Sequence, residues 1–459
     1  MIGWRGDSGA AAAHRSRESI LSVCVLRFNT MKQASVNELP IPLRVAAVGI
    51  AERIRDGGGR AWLVGGATRD LVLGNEPIDI DMATELVPER IEALFEQTVG
   101  VGKAFGTMIV QWKGTGVEVT TFRSERGYSD GRRPDEVTYG SSVEEDAARR
   151  DFTCNALYLD PLTGEFRDPE QGLDDLAAGR LRCVGDPRER FREDGLRILR
   201  FVRFAARLGL APDPATEAGA RAELEALRGV SAERLRREFE GMLNGPAPSG
   251  AFAHLRELGA DRRCLPGWLD GRDGDARLGT LAALGPACGP ELGFAAVLDP
   301  APRGDGPGDP ERSLAALEAL RPAKGLRRAV GQIWSLQVRL ERAARAEATR
   351  PERLRLFRDA SWEPAARFFR ACGVGDASGL DRLEAELAGL RPDELRPLPL
   401  LTAPDLIAAG VPRGPRLGEL LNALEDQQLD GRVVDREGAE GWLSDQLGGN
   451  QRRSDHETG

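Results

Sequence analysis

The chain has 459 residues, 63 basic against 72 acidic, a net charge of −9, and 41% hydrophobic and 29% charged content. That length exceeds what one core usually serves, so two to four domains are expected, and no apolar run approaches the roughly 20 residues that span a bilayer. Three histidines leave almost no material for histidine metal sites or Ser-His-Asp triads, and the acidic balance excludes indiscriminate binding to nucleic acid, so any such surface must be local.

Residues 1–38 mix Gly, Ala, Ser and Arg without sustained period and are expected to be disordered, with Met31 an alternative start to Met1. From residue 41 apolar positions recur at helical spacing up to the glycines at 57–59, and the short strand AWLV follows. PIDIDMAT reads as a second strand, VPERIEALFEQT as a helix with proline in its first turn, and GTMIVQW with GVEVTTF as a hairpin. FTCNALYLDPLTGEFRDP reads as another hairpin, after which helical patterns take over. The fold class is therefore α+β at the front and all-α behind. The Pro- and Gly-rich stretch 285–313 reads as a long surface connection, and the tail from 447 to 459 as disordered. Six scattered cysteines form no CxxC pair and no secretory signal is evident, which points to a reduced, cytoplasmic protein without a membrane partner.

Three stretches carry chemistry. On a strand, Asp79 and Asp81 project from one face while Ile78, Ile80 and Met82 fill the other. Carboxylates that close repel unless a cation sits between them, and a hard divalent ion fits oxygen ligands. A bare Asp-x-Asp also fits solvated turn residues. Here Gly65 and Gly66 allow close approach to phosphates, Arg69 follows, and Glu118 on a neighbouring strand offers a third acid. The second stretch, Arg149, Arg150 and Asp151, reads by itself as a surface charge cluster. The third, residues 188–209, reads as an amphipathic helix whose Asp194, Arg197, Arg200 and Arg203 form a polar stripe. Residues 180–207 hold nine arginines against four acids, a local +5 where phosphates could bind.

In this order the blocks LVGGATRDLVLG…DIDMAT, EVTTFRSERGYSDGRRPDEVTYGSSVEEDAARRDFTCNAL, FREDGLRILRFVRFAARLGL and SAERLRREFEGML resemble the class II tRNA nucleotidyltransferases, the CCA-adding enzymes, and the bacterial poly(A) polymerases. The resemblance implies a polymerase-beta-like head with a mixed sheet at 39–180, a helical neck at 181–245, and a helical body at 246–390. It also implies a helical tail at 391–446 that binds tRNA. It makes Asp79 and Asp81 the metal ligands for Mg²⁺, with Glu118 the third catalytic acid. Gly65, Gly66, Arg69 and Arg150 then contact the nucleotide, Asp194 and Arg197 read its base, and Arg200 and Arg203 lie near its phosphates. A carboxylate only accepts hydrogen bonds and a guanidinium only donates, so such a pair can select cytosine and adenine, which share one donor–acceptor order, over guanine and uracil. The implied reaction is template-independent addition of CCA, or its terminal A, to tRNA from CTP and ATP. Poly(A) synthesis and an inactive RNA-binding protein are the alternatives. The segment 123–136 matches a loop that CC-adding relatives shorten, which disfavours CC-only addition. The scarcity of histidine excludes an appended HD phosphohydrolase. Gly195 stands where a helix former is more usual and is expected to loosen the base-reading end of the helix.

Overall fold

The computed structural model describes residues 34–102, 106–126, 136–139, 142–300, 309–373 and 377–454. These residues form two compact units. The first takes in the described residues up to Leu278, with Gly285–Pro290 and Ala315–Pro322; the second holds Gly279–Leu284, Glu291–Leu314 and the chain from Ala323 on. Among the described residues no helix is long and apolar enough to cross a membrane.

The first unit begins earlier than expected. Ser35 caps a short turn at Val36–Glu38, and Leu39 is buried, so order starts inside the segment predicted to lack it. Helix α1 (Ile41–Asp56) buries Ala46, Ala47, Ile50, Ala51 and Ile54 at helical spacing and ends at Gly57. Strand β1 (Ala61–Val64) is buried along its whole length, as a central strand covered on both faces must be. After it come α2 (Gly66–Val72), β2 (Asp81–Thr84), α3 (Pro88–Leu94), β3 (Thr98–Gly102), β4 (Thr107–Trp112) and β5 (Thr115–Thr121). Further on, β6 (Arg123–Arg126) pairs with β7 (Glu136–Tyr139), and the centre of the segment 123–136 lies outside the described residues. Helix α4 (Val143–Ala148), β8 (Tyr158–Leu159) and β9 (Phe166–Arg167) complete this sheet-containing part. Its seven strands run in the order β3-β4-β5-β2-β1-β8-β9. All neighbours are antiparallel except β2 and β5, which makes the sheet mixed.

Strand β2 is shorter than the sequence suggests. It starts at Asp81, so Asp79 lies in the bend before it, and Ile78 is 84% exposed instead of filling the inner face. Pro77 and the exposed approach give residues 77–79 no partner strand, whereas Ile80 and Met82 are buried as expected.

The helix expected over 188–209 is two helices, α5 (Pro187–Glu193) and α6 (Leu196–Leu208), broken at Asp194 and Gly195. Asp194 adopts an extended backbone and accepts the Leu196 N–H at 3.0 Å, the geometry that starts a new helix. Helix α6 buries Ile198, Leu199, Phe201 and Val202 completely, and α7 (Ala232–Leu243), whose Phe239 and Met242 are buried, packs beside it with Glu238 and Gly241 against Arg203.

The second unit is helical. One core gathers Leu336, Leu340, Leu354, Phe357, Trp362 and Phe369; another gathers Leu401, Leu406, Leu420, Leu424 and Leu443. The stretch 285–313 is not a plain surface connection. It contains the helix Gly289–Val297, with Leu292 and Phe294 to Val297 buried, and the start of the helix Pro310–Ala319. Its prolines 290 and 310 occupy first-turn positions, where the missing N–H is harmless. The last helix, Arg436–Ser454, continues into residues expected to be disordered, because Ala439 and Leu443 anchor it in the second of these cores.

Candidate active site

The parallel pairing of β2 with β5 places Asp81 directly beside Glu118, both on the open face of the sheet, while Met82 and Val119 pair in the core behind them. Val64, opposite Asp81 across the β1–β2 ladder, leads into Gly65, whose φ of 67° is one that glycine adopts without strain. A side-chain carbon on Gly65 would sit 3.6 Å from Arg150 Nη1 and 3.8 Å from Asp81 Oδ2, so the bare backbone lies between the two charges. Gly66 opens α2, with Arg69 Nη2 3.7 Å from where its side chain would begin.

The Asp81 carboxyl is pushed up to about 6 by partial desolvation and by Glu118 and Asp79, against the opposing pull of Arg150 and Arg200. Acids from two strands and a bend, and arginines from two further elements, thus converge on one carboxylate. An uncompensated cluster of hard oxygen donors is the chemistry a divalent cation satisfies. Among the described residues no three acid, cysteine or histidine side chains are gathered into a complete cage.

The arginines are held by a buried network. Arg150 donates to Asp146 at 2.9 and 3.1 Å and to the Tyr158 hydroxyl at 2.9 Å, and its guanidinium lies over the Tyr158 ring. Asp146 also pairs with Arg149 and is fully buried. Burial alone would raise its pKa, but Arg150, Arg149 and Tyr158 hold it down to about 2. The 144–151 stretch is thus no surface cluster: its acids Asp146 and Asp151 are interior and anchor Arg150 and Arg200. Arg69 is 2% exposed, with its three nitrogens donating to Asp70 and Asn155.

At the α5–α6 break, the Arg197 backbone N–H donates to the Asp194 carbonyl at 3.0 Å, while their side chains take other partners. Arg234 of α7 grips Asp194 with both terminal nitrogens, at 2.6 and 3.1 Å. Arg197 donates to Glu193 at 2.6 Å and to the carbonyls of Arg190 and Arg149 at 3.1 Å. Arg200 pairs with Asp151 and Arg203 with Glu238, each at 2.6 Å. Sequence reasoning missed Asp146, Tyr158, Glu193 and Arg234. The i,i+4 spacing of Asp146 to Arg150 was a usable signal; Arg234, 40 positions from Asp194, gave none.

Gly195 has an ordinary right-handed helical backbone, and a side-chain carbon there would lie 2.3 Å from the Ala226 carbonyl oxygen. The glycine there allows close approach of backbone to backbone, a reason for its presence beside the loosening expected from helix propensity.

Residues 61–182 match the family described as Poly A polymerase head domain, and residues 209–270 the one described as probable RNA and SrmB-binding site of polymerase A. A CCA-adding enzyme of Geobacillus stearothermophilus is 42% identical over 232 residues, half of this chain and 57% of that relative, so the sequence match spans little more than half of its length. A Bacillus stearothermophilus CCA-adding enzyme solved in complex with CTP superposes with a TM-score of 0.70 at 31% identity, covering 90% of this chain and all of that one. The CCA-adding enzyme of Thermotoga maritima complexed with tRNA, at 20% identity and a TM-score of 0.64, shares the fold over 89% of this chain and 96% of its own. With the acid pair, the glycine turn and the arginine-rich neck in the order that fold requires, and a 31%-identical structure covered in full, the chain belongs to the family of CCA-adding enzymes.

Proposed function

We propose that this protein adds CCA, or its terminal A, to the 3′ end of tRNA without a template, using CTP and ATP and releasing pyrophosphate. The observation that carries this reading is the convergence on Asp81 of Glu118, Asp79, Arg150 and Arg200. Nucleotidyltransferases of this family generally use divalent metals. Asp79 and Asp81 would hold Mg²⁺, which when bound acidifies the RNA 3′-hydroxyl and offsets charge on the α-phosphate and leaving pyrophosphate. Glu118 serves as the third acid beside them. Gly65 and Gly66 bring the backbone close to the triphosphate, and Arg150, Arg200 and Arg203 supply positive charge around it. Arg69 acts from behind, through Asp70 and Asn155.

Base choice falls to Asp194, which accepts from an exocyclic amine, and Arg197, which donates to the adjacent ring nitrogen; cytosine and adenine both fit that order. Arg234 and the Leu196 N–H take three of the roughly four acceptor sites of the Asp194 carboxylate, which leaves one for the exocyclic amine. We assign residues 39–180 as head, 181–245 as neck, 246–390 as body and 391–446 as the tail that holds tRNA. The family match over 209–270 supports an RNA contact next to the neck. The five described cysteines are all free, in keeping with a cytoplasmic site of action.

The test is incubation of the purified protein with tRNA lacking its 3′ triplet, or ending in CC, with Mg²⁺ and CTP, ATP or both, resolved to single nucleotides. CCA followed by a stop is the expected product. A alone on a CC end identifies the A-adding activity, open-ended A tails identify poly(A) synthesis, and no product with any substrate overturns the reading. Double substitution Asp79→Ala, Asp81→Ala is expected to abolish every product.

A further inference from the structure

The ring of Phe204, on α6 and only 6% exposed, lies beneath three guanidiniums: Arg203 at 4.4 Å from its centroid, Arg200 at 5.2 Å and Arg69 at 5.5 Å. They come from two parts of the chain, Arg200 and Arg203 from the neck helix and Arg69 from α2 after the glycine turn. Each is tied along one edge by a carboxylate from a different place: Asp151, Glu238 and Asp70. The ring itself is braced edge-on by Phe152, 5.8 Å away at 74°.

Packing alone would not gather cations here. Three guanidiniums around one point repel one another, and an aliphatic residue of the same volume would fill the space without attracting any of them. An aromatic ring has a negative face, so it draws a guanidinium into flat contact and fixes its plane. A carboxylate at one edge and a ring at the face together determine where the remaining N–H groups point. Both terminal nitrogens of Arg203 lack a partner among the described residues. One turn on, Arg207 is exposed and makes no hydrogen bond or ion pair among the described residues, with Arg69, Arg203, Asp70 and Asp79 as its charged neighbours. The ring therefore orders a patch of positive charge within electrostatic reach of Asp79 and Asp81.

We propose that Phe204 is a positioning residue that holds Arg200 and Arg203 of the neck in register, with the buried Arg69 bracing the same ring, so that the neck arginines grip the polyphosphate of the incoming nucleotide. The inference rests on the nucleotidyltransferase reading above and adds a base-independent determinant of nucleotide affinity. A grip on polyphosphate serves CTP and ATP equally, whereas a residue acting on the base would separate them.

The test uses the full-length protein with three changes: Phe204→Leu, Phe204→Tyr, and a trifluorinated phenylalanine at position 204 that keeps the ring's shape while stripping its negative face. KM for CTP and for ATP is expected to rise by about tenfold, by the same factor for both, in the Leu and fluorinated proteins. kcat and KM for tRNA are expected to stay within about threefold, and the Tyr protein to behave like wild type. An unchanged nucleotide KM in the fluorinated protein overturns the proposal, even if the Leu protein is unstable. So does a rise confined to one nucleotide, or one that appears in KM for tRNA. A wild-type protein that transfers no nucleotide defeats the underlying reading, a result distinct from any of these.

Discussion

Asp81 is kept at a disadvantage in the metal-free protein. Its carboxyl is raised from 3.8 to about 6, so between those values the folded state holds more protons than the unfolded state, and stability falls as pH rises through that window. Asp81→Asn is therefore expected to melt about 1–2 °C above wild type at pH 7.5 in chelator, a modest gain because the carboxyl is partly exposed. The gap should close below about pH 4, where Asp81 is protonated in both states. Scanning calorimetry across pH checks this, and an Asp81→Asn protein that melts below wild type at pH 7.5 contradicts it. Catalysis should run the opposite way: nucleotidyl transfer falls as pH drops through about 6, and the midpoint moves lower with more Mg²⁺, because protons and metal compete for the same oxygens. At Gly195, alanine would drive a carbon into the Ala226 backbone. Gly195→Ala is expected to lose about 1–3 kcal/mol and to weaken discrimination against UTP and GTP, since Asp194 is the adjoining residue. Chemical denaturation and misincorporation assays together read both effects.

Among the elements, Arg234 on α7 is the tether that fixes Asp194 at the break between α5 and α6. Arg234→Ala is expected to lower kcat/KM for both CTP and ATP by about tenfold or more, as loss of a charge-assisted pair of hydrogen bonds implies. Steady-state kinetics on tRNA lacking CCA measure it, and an unchanged kcat/KM for both nucleotides would show that Asp194 needs no support. Asp146→Asn would leave the half-buried Arg150 and Arg149 short of their counter-charge at a buried carboxylate, and about 3 kcal/mol of stability should go with it. Local periodicity made β1, α1 and the β4–β5 hairpin readable, since each is specified by its own residues. Alternation also set Met82 and Ile80 inward, but it could not tell that β2 begins only at Asp81, because strand length depends on where partners end. Nor could spacing reveal the break at Asp194, which comes from a cap and from the pressing backbone of Ala226. The acids and arginines of the site were readable as types in order. Their partners Arg234, Glu238 and Asp151 were not, because ion pairs between distant segments leave no local pattern.

The whole chain divides into two units with separate cores, so a single unfolding transition is not expected. The acids and arginines of the nucleotide site all lie in the first unit. CTP with Mg²⁺ at about 100 times its Kd should stabilise that unit by about 2.7 kcal/mol and leave the other transition in place, which differential scanning calorimetry can resolve. Equal movement of both transitions would mean that the units unfold together. The β2–β5 pairing also has a consequence for the order of assembly. The β4–β5 hairpin closes through a two-residue turn and can form early, whereas β2 reaches β5 only after the chain between them has folded back. That late step is the one that brings Asp81 against Glu118. The contact between the two acids is thus a seam that closes after the hairpin and against like charge, and Asp81→Asn should refold faster than wild type.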